Sequence, residues 1–258
     1  MFFLFHLKRV LILASGRGSD FQALVDHEKL GVLRGLRIEG VVCNHEGAMV
    51  LERARSSGKQ SFLIPGVKGT KFESKEERES ARERFDQEWL DVAKKVGAEI
   101  VALAGFDQII SNKILQNNPL LIINIHPAYD LHKFGGRNMI GTRVHELVLS
   151  SGARFSGCTV HAVTSDVDLG APILKEKVGI APDETVESLE RKVLALEHLA
   201  YPKALQLIAD ERVILNEDRS KCYVDRLSAN WEEEWNSRQE RYLEMRPEES
   251  AILKDRLG

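Results

Sequence analysis

Apolar positions in this chain follow two periods. Val10-Leu11-Ile12-Leu13, Ile100-Val101-Ala102-Leu103-Ala104 and Leu120-Leu121-Ile122-Ile123 are short unbroken apolar runs. Their length and composition predict strands buried on both faces. Residues 37–44, 61–64, 157–164 and 172–178 read as further strands, and Pro65 stops the second of these. Between them the period lengthens. A helix is predicted from Phe21 through Val25. Another covers residues 48–57, with Gly58 just past its end, and a third covers 73–96, with Phe85, Trp89, Leu90, Val92 and Ala93 as anchors and Gly97 as its stop. Residues 144–151 read as a helix ending at Gly152. Residues 186–209 read as another, in which Pro202 predicts a kink or break.

Apolar strands alternating with helices indicate an α/β fold. The expectation is a mostly parallel twisted sheet with helices on both faces. From about residue 211 the density of charged residues rises, while Trp231, Trp235, Tyr242, Leu243 and Met245 keep a helix-like stripe. Residues 1–210 are therefore expected to form a catalytic domain and 211–258 a charged, helical C-terminal extension that packs on the core or on a partner. Residues 1–6 read as a short extension before the first strand.

Composition narrows the function classes. Of 258 residues, 43% are hydrophobic and 29% charged, and the net charge is -3, so a nucleic-acid partner is not expected. No apolar run approaches the ~20 residues of a membrane span. The N-terminal apolar stretch precedes its positive charges, the reverse of a signal peptide. Cys43, Cys158 and Cys222 are widely spaced and lack zinc spacing, which fits a reducing, cytoplasmic setting. No metal site is expected, His132 and His145 included. Cys158 reads as a small buried residue.

Three chemistry-bearing groups cluster around the last of the three apolar runs. Asn124-Ile125-His126-Pro127 follows the run at 120–123, at the end of the strand where open α/β sheets place their sites. Asp168 lies downstream in Asp166-Val167-Asp168-Leu169-Gly170. An amide can hold a developing oxyanion, an imidazole can protonate or steady it, and a carboxylate can orient and charge the imidazole. The set suits acyl transfer without a covalent enzyme intermediate. His161, alternating with apolar neighbours, reads as a buried, hydrogen-bonded strand residue. Upstream, Ser15-Gly16-Arg17-Gly18-Ser19 joins a strand to a helix. It is either a monophosphate cradle or a structural turn. Phe21 stands where a dinucleotide fingerprint needs its third glycine, and the second strand ends in Cys43-Asn44-His45, so NAD is not expected. Asp20 is placed as a natural N-cap. Arg137, in a glycine-bearing loop, reads as a solvated charge in preference to a substrate contact.

Taken in chain order, several segments resemble the glycinamide ribonucleotide formyltransferases, a branch of the folate-dependent formyltransferase superfamily. They are Ala14-Ser15-Gly16-Arg17-Gly18-Ser19, Leu51-Glu52-Arg53-Ala54, Leu103-Ala104-Gly105-Phe106, Asn124-Ile125-His126-Pro127, Ser156-Gly157-Cys158-Thr159-Val160-His161, Asp166-Val167-Asp168-Leu169-Gly170 and Glu197-His198-Leu199-Ala200-Tyr201-Pro202. The resemblance spans roughly residues 8–210 and implies a Rossmann-like formyltransferase fold. It further implies attack of the glycinamide ribonucleotide amine on the formyl carbon of 10-formyltetrahydrofolate, with no metal, in a monomer or homodimer. Asn124 would bind the formyl oxygen, His126 would support it, and Asp168 would pair with His126 and carry a proton through water. Gly16, Arg17, Gly18, Ser19, Asp20, Arg82 and Glu197 match the substrate phosphate and nucleotide site. Leu103, Phe106, Asp107, Gln108 and Ile109 match the stretch that borders the folate.

The chain departs from the family pattern at Asp20, where many members carry Asn, at Asp107-Gln108, which replaces a common Met-Arg pair, and at Ala128-Tyr129-Asp130-Leu131-His132. Other acceptors, methionyl-tRNA or water, and a catalytically silent folate- or nucleotide-binding module are the competing readings. The short tail and a first strand near Lys8 disfavour those acceptors, and intact Asn124, His126 and Asp168 disfavour a silent module.

Overall fold

The computed structural model describes residues 6–225 and 229–254, so the apolar stretch expected as an N-terminal extension lies outside the described residues but for His6. The chain runs β1 (Lys8–Ala14), α1 (Ser19–Lys29), β2 (Leu36–Cys43), α2 (Met49–Ser56), β3 (Gln60–Leu63), α3 (Lys75–Val96) and β4 (Ile100–Leu103). It continues through α4 (Asn112–Asn117), β5 (Leu121–His126), α5 (Leu131–Phe134), α6 (Thr142–Ser150), β6 (Phe155–Ala162), β7 (Pro172–Gly179) and α7 (Val186–Ala209). Last come β8 (Val213–Leu215), β9 (Cys222–Val224), α8 (Ala229–Met245) and α9 (Pro247–Lys254).

Seven strands form one sheet in the order β3-β2-β1-β4-β5-β6-β7. The five strands from β3 to β5 pair in parallel, while β6 and β7 add antiparallel. The order reverses between β1 and β4, which opens a crevice beyond their carboxyl ends. Period-two alternation divides β1 between two cores. Val10, Ile12 and Ala14 pack with Phe21 and Leu24 of α1 and Val193 and Leu196 of α7. Leu11 and Leu13 pack with Phe85, Trp89 and Leu90 of α3. Helices therefore cover both faces, as the unbroken apolar runs require.

Tyr201 ties α7 to the crevice. Its side chain is fully buried, and its hydroxyl donates to the Leu103 carbonyl at the end of β4 (2.8 Å). An unmet buried hydroxyl or carbonyl costs about 1–3 kcal/mol, so this bond fixes the depth at which α7 sits. Pro202 follows immediately, yet α7 runs unbroken through it, in contrast to the expected break. Tight burial of residues 195–208 keeps the helix together although Pro202 supplies no N–H to the His198 carbonyl. Two short helices, α4 and α5, carry too few residues to show a period in sequence. The strand expected over 157–164 begins two residues earlier, at Phe155.

The chain after residue 211 is a two-stranded hairpin followed by two helices. The expected stripe is largely buried: Trp231, Trp235 and Tyr242 join the α1–α7 core, Leu243 packs at its edge, and Met245 stays exposed. The indoles of Trp231 and Trp235 stack 5.9 Å apart. Polar anchors fix the docking. Trp231 Nε1 donates to Asp210 (2.7 Å), Arg238 to the Val32 carbonyl (2.7 Å), and Arg246 to Asp26 (2.8 Å). Among the described residues, no helix is long and apolar enough to cross a membrane.

This docking buries His27, whose ring stacks on Tyr242 with centroids 4.0 Å apart. Nδ1 bonds the Ala23 carbonyl, and Nε2 is buried without a partner. Burial pushes the imidazole down to about 4. Between pH 4 and 6.5 the unfolded chain binds a proton that the folded chain refuses, so stability rises with pH across that window. The urea midpoint should fall as pH drops from 6.5 to 4, with His27 contributing on the order of 3 kcal/mol to the slope. His27→Phe, which keeps the stack, should show a shallower slope. Identical slopes would clear His27 of that role.

Candidate active site

The loop after β1 approaches α2 so closely that only glycine fits at its turn. Gly18 has φ +70, and a Cβ there would lie 2.4 Å from Val50 Cγ2. Gly18, not Asp20, is the N-cap of α1, so the expected capping role of Asp20 is corrected. Position 18 must adopt a left-handed conformation, which leaves Asp20 inside the first turn. The first helical bond of α1 runs from Gln22 N to Gly18 O, and no side chain caps the helix. The N–H groups of Ser19, Asp20 and Phe21 thus precede the first helical bond, and the N-terminus offers an anion-binding end. Arg53 Nε steadies the loop by donating to the Arg17 carbonyl (2.9 Å).

Asn124 and His126 lie at the carboxyl end of β5, directly beside β6, where Asn124 pairs with His161. His161 is buried, and its Nδ1 bonds the Ala162 carbonyl (2.9 Å). A carbonyl only accepts, so Nδ1 carries the hydrogen. Burial first, then His126, lowers the His161 pKa against the raising effects of that bond and Asp168, which favours the neutral ring. Its bare Nε2 then accepts from Asn124 Nδ2 at 3.2 Å. The other amide hydrogen points to Asp168 Oδ1 across a longer 3.4 Å contact. His161 therefore sets the orientation of the Asn124 amide, a part that its strand-like sequence pattern concealed.

Asp168 sits on a tight loop at φ 59, an uncommon conformation that Asp and Asn tolerate better than most residues. Its Oδ2 accepts from the Gly136 amide (3.0 Å) and lies 3.4 Å from His126 Nδ1. His126 Nε2 already donates to the Phe134 carbonyl at 2.8 Å. His126 Nδ1 thus faces the Asp168 carboxylate from the strand side, with Nε2 anchored on backbone, and both residues line the cavity.

A single cavity of about 920 Å³ joins these elements. It is lined by Gly16, Arg17, Gly18, Ser19, Asp20, Arg82 and Glu197, by Leu103, Phe106, Asp107, Gln108 and Ile109, and by Asn124, His126 and Asp168. All fifteen residues expected at a site in the sequence meet there. The volume is near the upper end for small-molecule sites. Lys68, Arg78, Arg137 and Glu190 also line it. Charged residues on helix surfaces, as Arg78 and Glu190 are, or in loops, as Lys68 and Arg137 are, carry no sequence mark that separates a cavity wall from a solvated face. Arg137, expected to be a solvated charge, is exposed and borders the cavity.

The two ends differ in electrostatics. Near α1, Arg17 pairs with Glu190 (3.1 Å), and Glu197 and Asp20 are both buried. Burial, then the neighbouring acids Asp20 and Glu190, pushes the Glu197 carboxyl well up. Burial likewise raises Asp20, opposed chiefly by His198. Arg82 Nε on α3 is buried and unpartnered. At the other end Asp107 carries its charge in a closed network. Ser15 Oγ (2.9 Å), Asn44 Nδ2 (2.7 Å) and Gln108 Nε2 (3.0 Å) donate to it, with His45 (3.0 Å) and Lys68 (3.2 Å) beside it. Burial opposes ionisation, but the bonds from Gln108, His45, Asn44 and Ser15 outweigh it and hold the carboxyl below the usual range. Phe106 stacks on Phe85 (6.2 Å) and, with Leu103 and Ile109, gives this end an apolar wall.

Comparison with known proteins gives consistent relatives. The family model described as formyl transferase matches residues 8–205. A chloroplastic phosphoribosylglycinamide formyltransferase of Arabidopsis thaliana is 34% identical over 211 residues, 82% of this chain and 68% of that protein. A trifunctional purine biosynthetic protein adenosine-3 of Gallus gallus is 35% identical over 215 residues, 83% of this chain but only 20% of its own length. Among solved structures, glycinamide ribonucleotide transformylase 1 from Symbiobacterium toebii superimposes with a TM-score of 0.74 at 30% identity, covering 88% of this chain and 98% of that one.

The close approach at the β1–α1 loop is directly testable. Gly18→Ala should lower stability by about 1–2 kcal/mol for the left-handed conformation alone, and by more for the overlap with Val50. Urea unfolding measures this, and an unchanged midpoint would mean the loop does not hold this turn.

Proposed function

The chain belongs to the formyl transferase family, and on that premise we propose that it transfers the formyl group of 10-formyltetrahydrofolate to the amine of glycinamide ribonucleotide in purine biosynthesis. One observation carries this reading: the Asn124–His126–Asp168 cluster opens into the same cavity as the uncapped N-terminus of α1. A cavity that both line can take a substrate with a phosphate at one end and a nucleophilic amine at the other.

In the proposed reaction the substrate phosphate lies against the N–H groups at Ser19 and Asp20, with Arg82 as its cation. Glu197, held toward its protonated form, hydrogen-bonds the sugar. The folate ring rests between the Phe106 wall and the backbone of Asp107 to Ile109. The amine nitrogen attacks the formyl carbon, and the carbonyl pair moves to oxygen. Asn124 then exchanges its 3.4 Å contact with Asp168 for the developing oxyanion, while His161 keeps the amide aligned. A donor so placed is worth about 2.7–4 kcal/mol of barrier. Asp168 takes the proton from the attacking nitrogen through water and returns it to the folate nitrogen as the carbon–nitrogen bond breaks. His126, 3.4 Å from Asp168, supports the carboxylate and the developing oxyanion. No metal takes part.

Residues 1–210 are read as the formyltransferase unit and 211–258 as an extension docked on it, a division supported by a family match that ends at residue 205. Cys43, Cys158 and Cys222 form no disulfide among the described residues, which suits a reducing compartment such as the cytoplasm. Both substrates are small molecules, and a monomer or homodimer serves the reaction.

Purified protein with 10-formyltetrahydrofolate should release tetrahydrofolate only when glycinamide ribonucleotide is added. Release without acceptor would favour hydrolysis, and no acceptor-dependent release would overturn the reading. Asp168→Asn keeps the side-chain shape and the left-handed backbone, so it should fold normally and lose roughly 10²–10⁴-fold in kcat. A near wild-type rate in that variant would remove Asp168 from the mechanism.

A further inference from the structure

Behind the uncapped end of α1 lies a group of buried ionisable side chains from three separate helices, and the mechanism above does not use it. His198 follows Glu197 on α7 but faces away from the cavity-lining carboxylate. Its Nδ1 is 2.8 Å from Glu249 Oε1 on α9, and its Nε2 is 4.0 Å from Asp20 Oδ1 on α1. All three side chains are about nine-tenths buried. Asp20 Oδ1 and His198 Nε2 are each buried without a hydrogen-bond partner, so they are the two open ends of one unfinished contact. The second oxygen of Glu249 accepts from the Tyr242 hydroxyl (3.0 Å), and Tyr242 stacks on His27. Arg246 pairs with Asp26 on the next turn of α1.

The chemistry of this row has one direction. Asp20 lies beside the N–H groups proposed to hold a phosphate, where an anionic carboxyl opposes an anionic ligand. The His198 ring bridges two carboxyls, with Nδ1 on Glu249 and Nε2 facing Asp20. Exchanging the Glu249 carboxylate for an amide weakens the charge-assisted bond that holds the ring plane. The ring can then turn from Asp20, and the carboxyl loses the imidazole edge that holds it away from the ligand.

We propose that the C-terminal helical pair completes the nucleotide end of the site, with Glu249 as a positioning residue that holds His198 against Asp20 and so keeps the α1 N-terminus receptive to a phosphate. Glu249 touches no substrate, and its influence passes through His198. The assignment of the ligand as glycinamide ribonucleotide rests on the function proposed above, whereas the coupling of Glu249 to the loop does not.

The test uses the full chain and pairs Glu249→Gln with Glu248→Gln, an exposed change on the same helix turn. Glu249→Gln should raise KM for glycinamide ribonucleotide about three- to tenfold, leaving kcat and KM for 10-formyltetrahydrofolate within twofold, while Glu248→Gln changes nothing. In an Asp20→Asn background the Glu249→Gln effect should shrink below twofold, because the charge that His198 faces is gone. Equal behaviour of the two glutamate variants, or a parallel loss in both KM values and kcat, would overturn the proposal. Backbone amide shifts of Gly18, Ser19 and Asp20 in ¹⁵N-labelled protein give an independent reading. They should move in Glu249→Gln and stay in Glu248→Gln. If the wild-type chain turns over no glycinamide ribonucleotide, the functional reading falls, and these shifts alone decide the coupling: unmoved amides would refute it, displaced ones uphold it.

Discussion

Strands β1, β4 and β5 are covered on both faces, so a polar side chain along them must find a partner within the protein or lie at a strand end. That constraint organises the molecule. Polar groups collect beyond the carboxyl ends of these strands, where the strand order reverses and the backbone opens into a crevice. The exceptions obey the same rule. Asn124, His126 and His161 sit within strands, and each is hydrogen-bonded on its inward side. Their bonds do more than offset burial: each fixes a ring or amide orientation that their cavity-facing partner, Asp168, depends on.

The same economy governs charge in the cavity. Asp107 looks from sequence like an acid placed against a ligand, yet its carboxylate is consumed by five neighbours and acts as a brace between the loops after β1, β2 and β4. Arg17 is likewise spent on Glu190. Asp168 has the His126 imidazole behind it and open space before it. Departure from a family pattern at positions 107 and 108 therefore alters how the walls are held more than the charge a ligand meets.

Much of this was legible in the sequence. The apolar runs marked the inner strands because burial on both faces leaves no room for alternation. Of the fifteen residues expected at a site, those at strand ends converge because their motifs inherit proximity from sheet order, while Arg82 and Glu197 reach the cavity from α3 and α7. Other features were hidden for physical reasons. Asp20 has the chemistry of an N-cap, but the left-handed backbone at Gly18, where a Cβ would meet Val50, puts the helix start ahead of it. His161 alternates like a core residue, and its pairing with Asn124 arises from an antiparallel register that no local pattern encodes. Pro202 should weaken α7, and surrounding burial overrides it. The Trp231–Tyr242 stripe announced a helix without revealing that it would cover α1.

That cover has a consequence for how the protein is made. Asp26 and Arg246 are 220 residues apart, and His27 and Asp20 are walled in by side chains between Trp231 and Glu249. During synthesis the first βαβ unit emerges and gathers its strands long before those side chains exist. Until the last helices leave the ribosome, α1 displays an apolar and ionisable flank to solvent. The nascent chain thus passes through a long interval as a nearly complete sheet with an uncovered helix, a form on which a chaperone or a protease would act first.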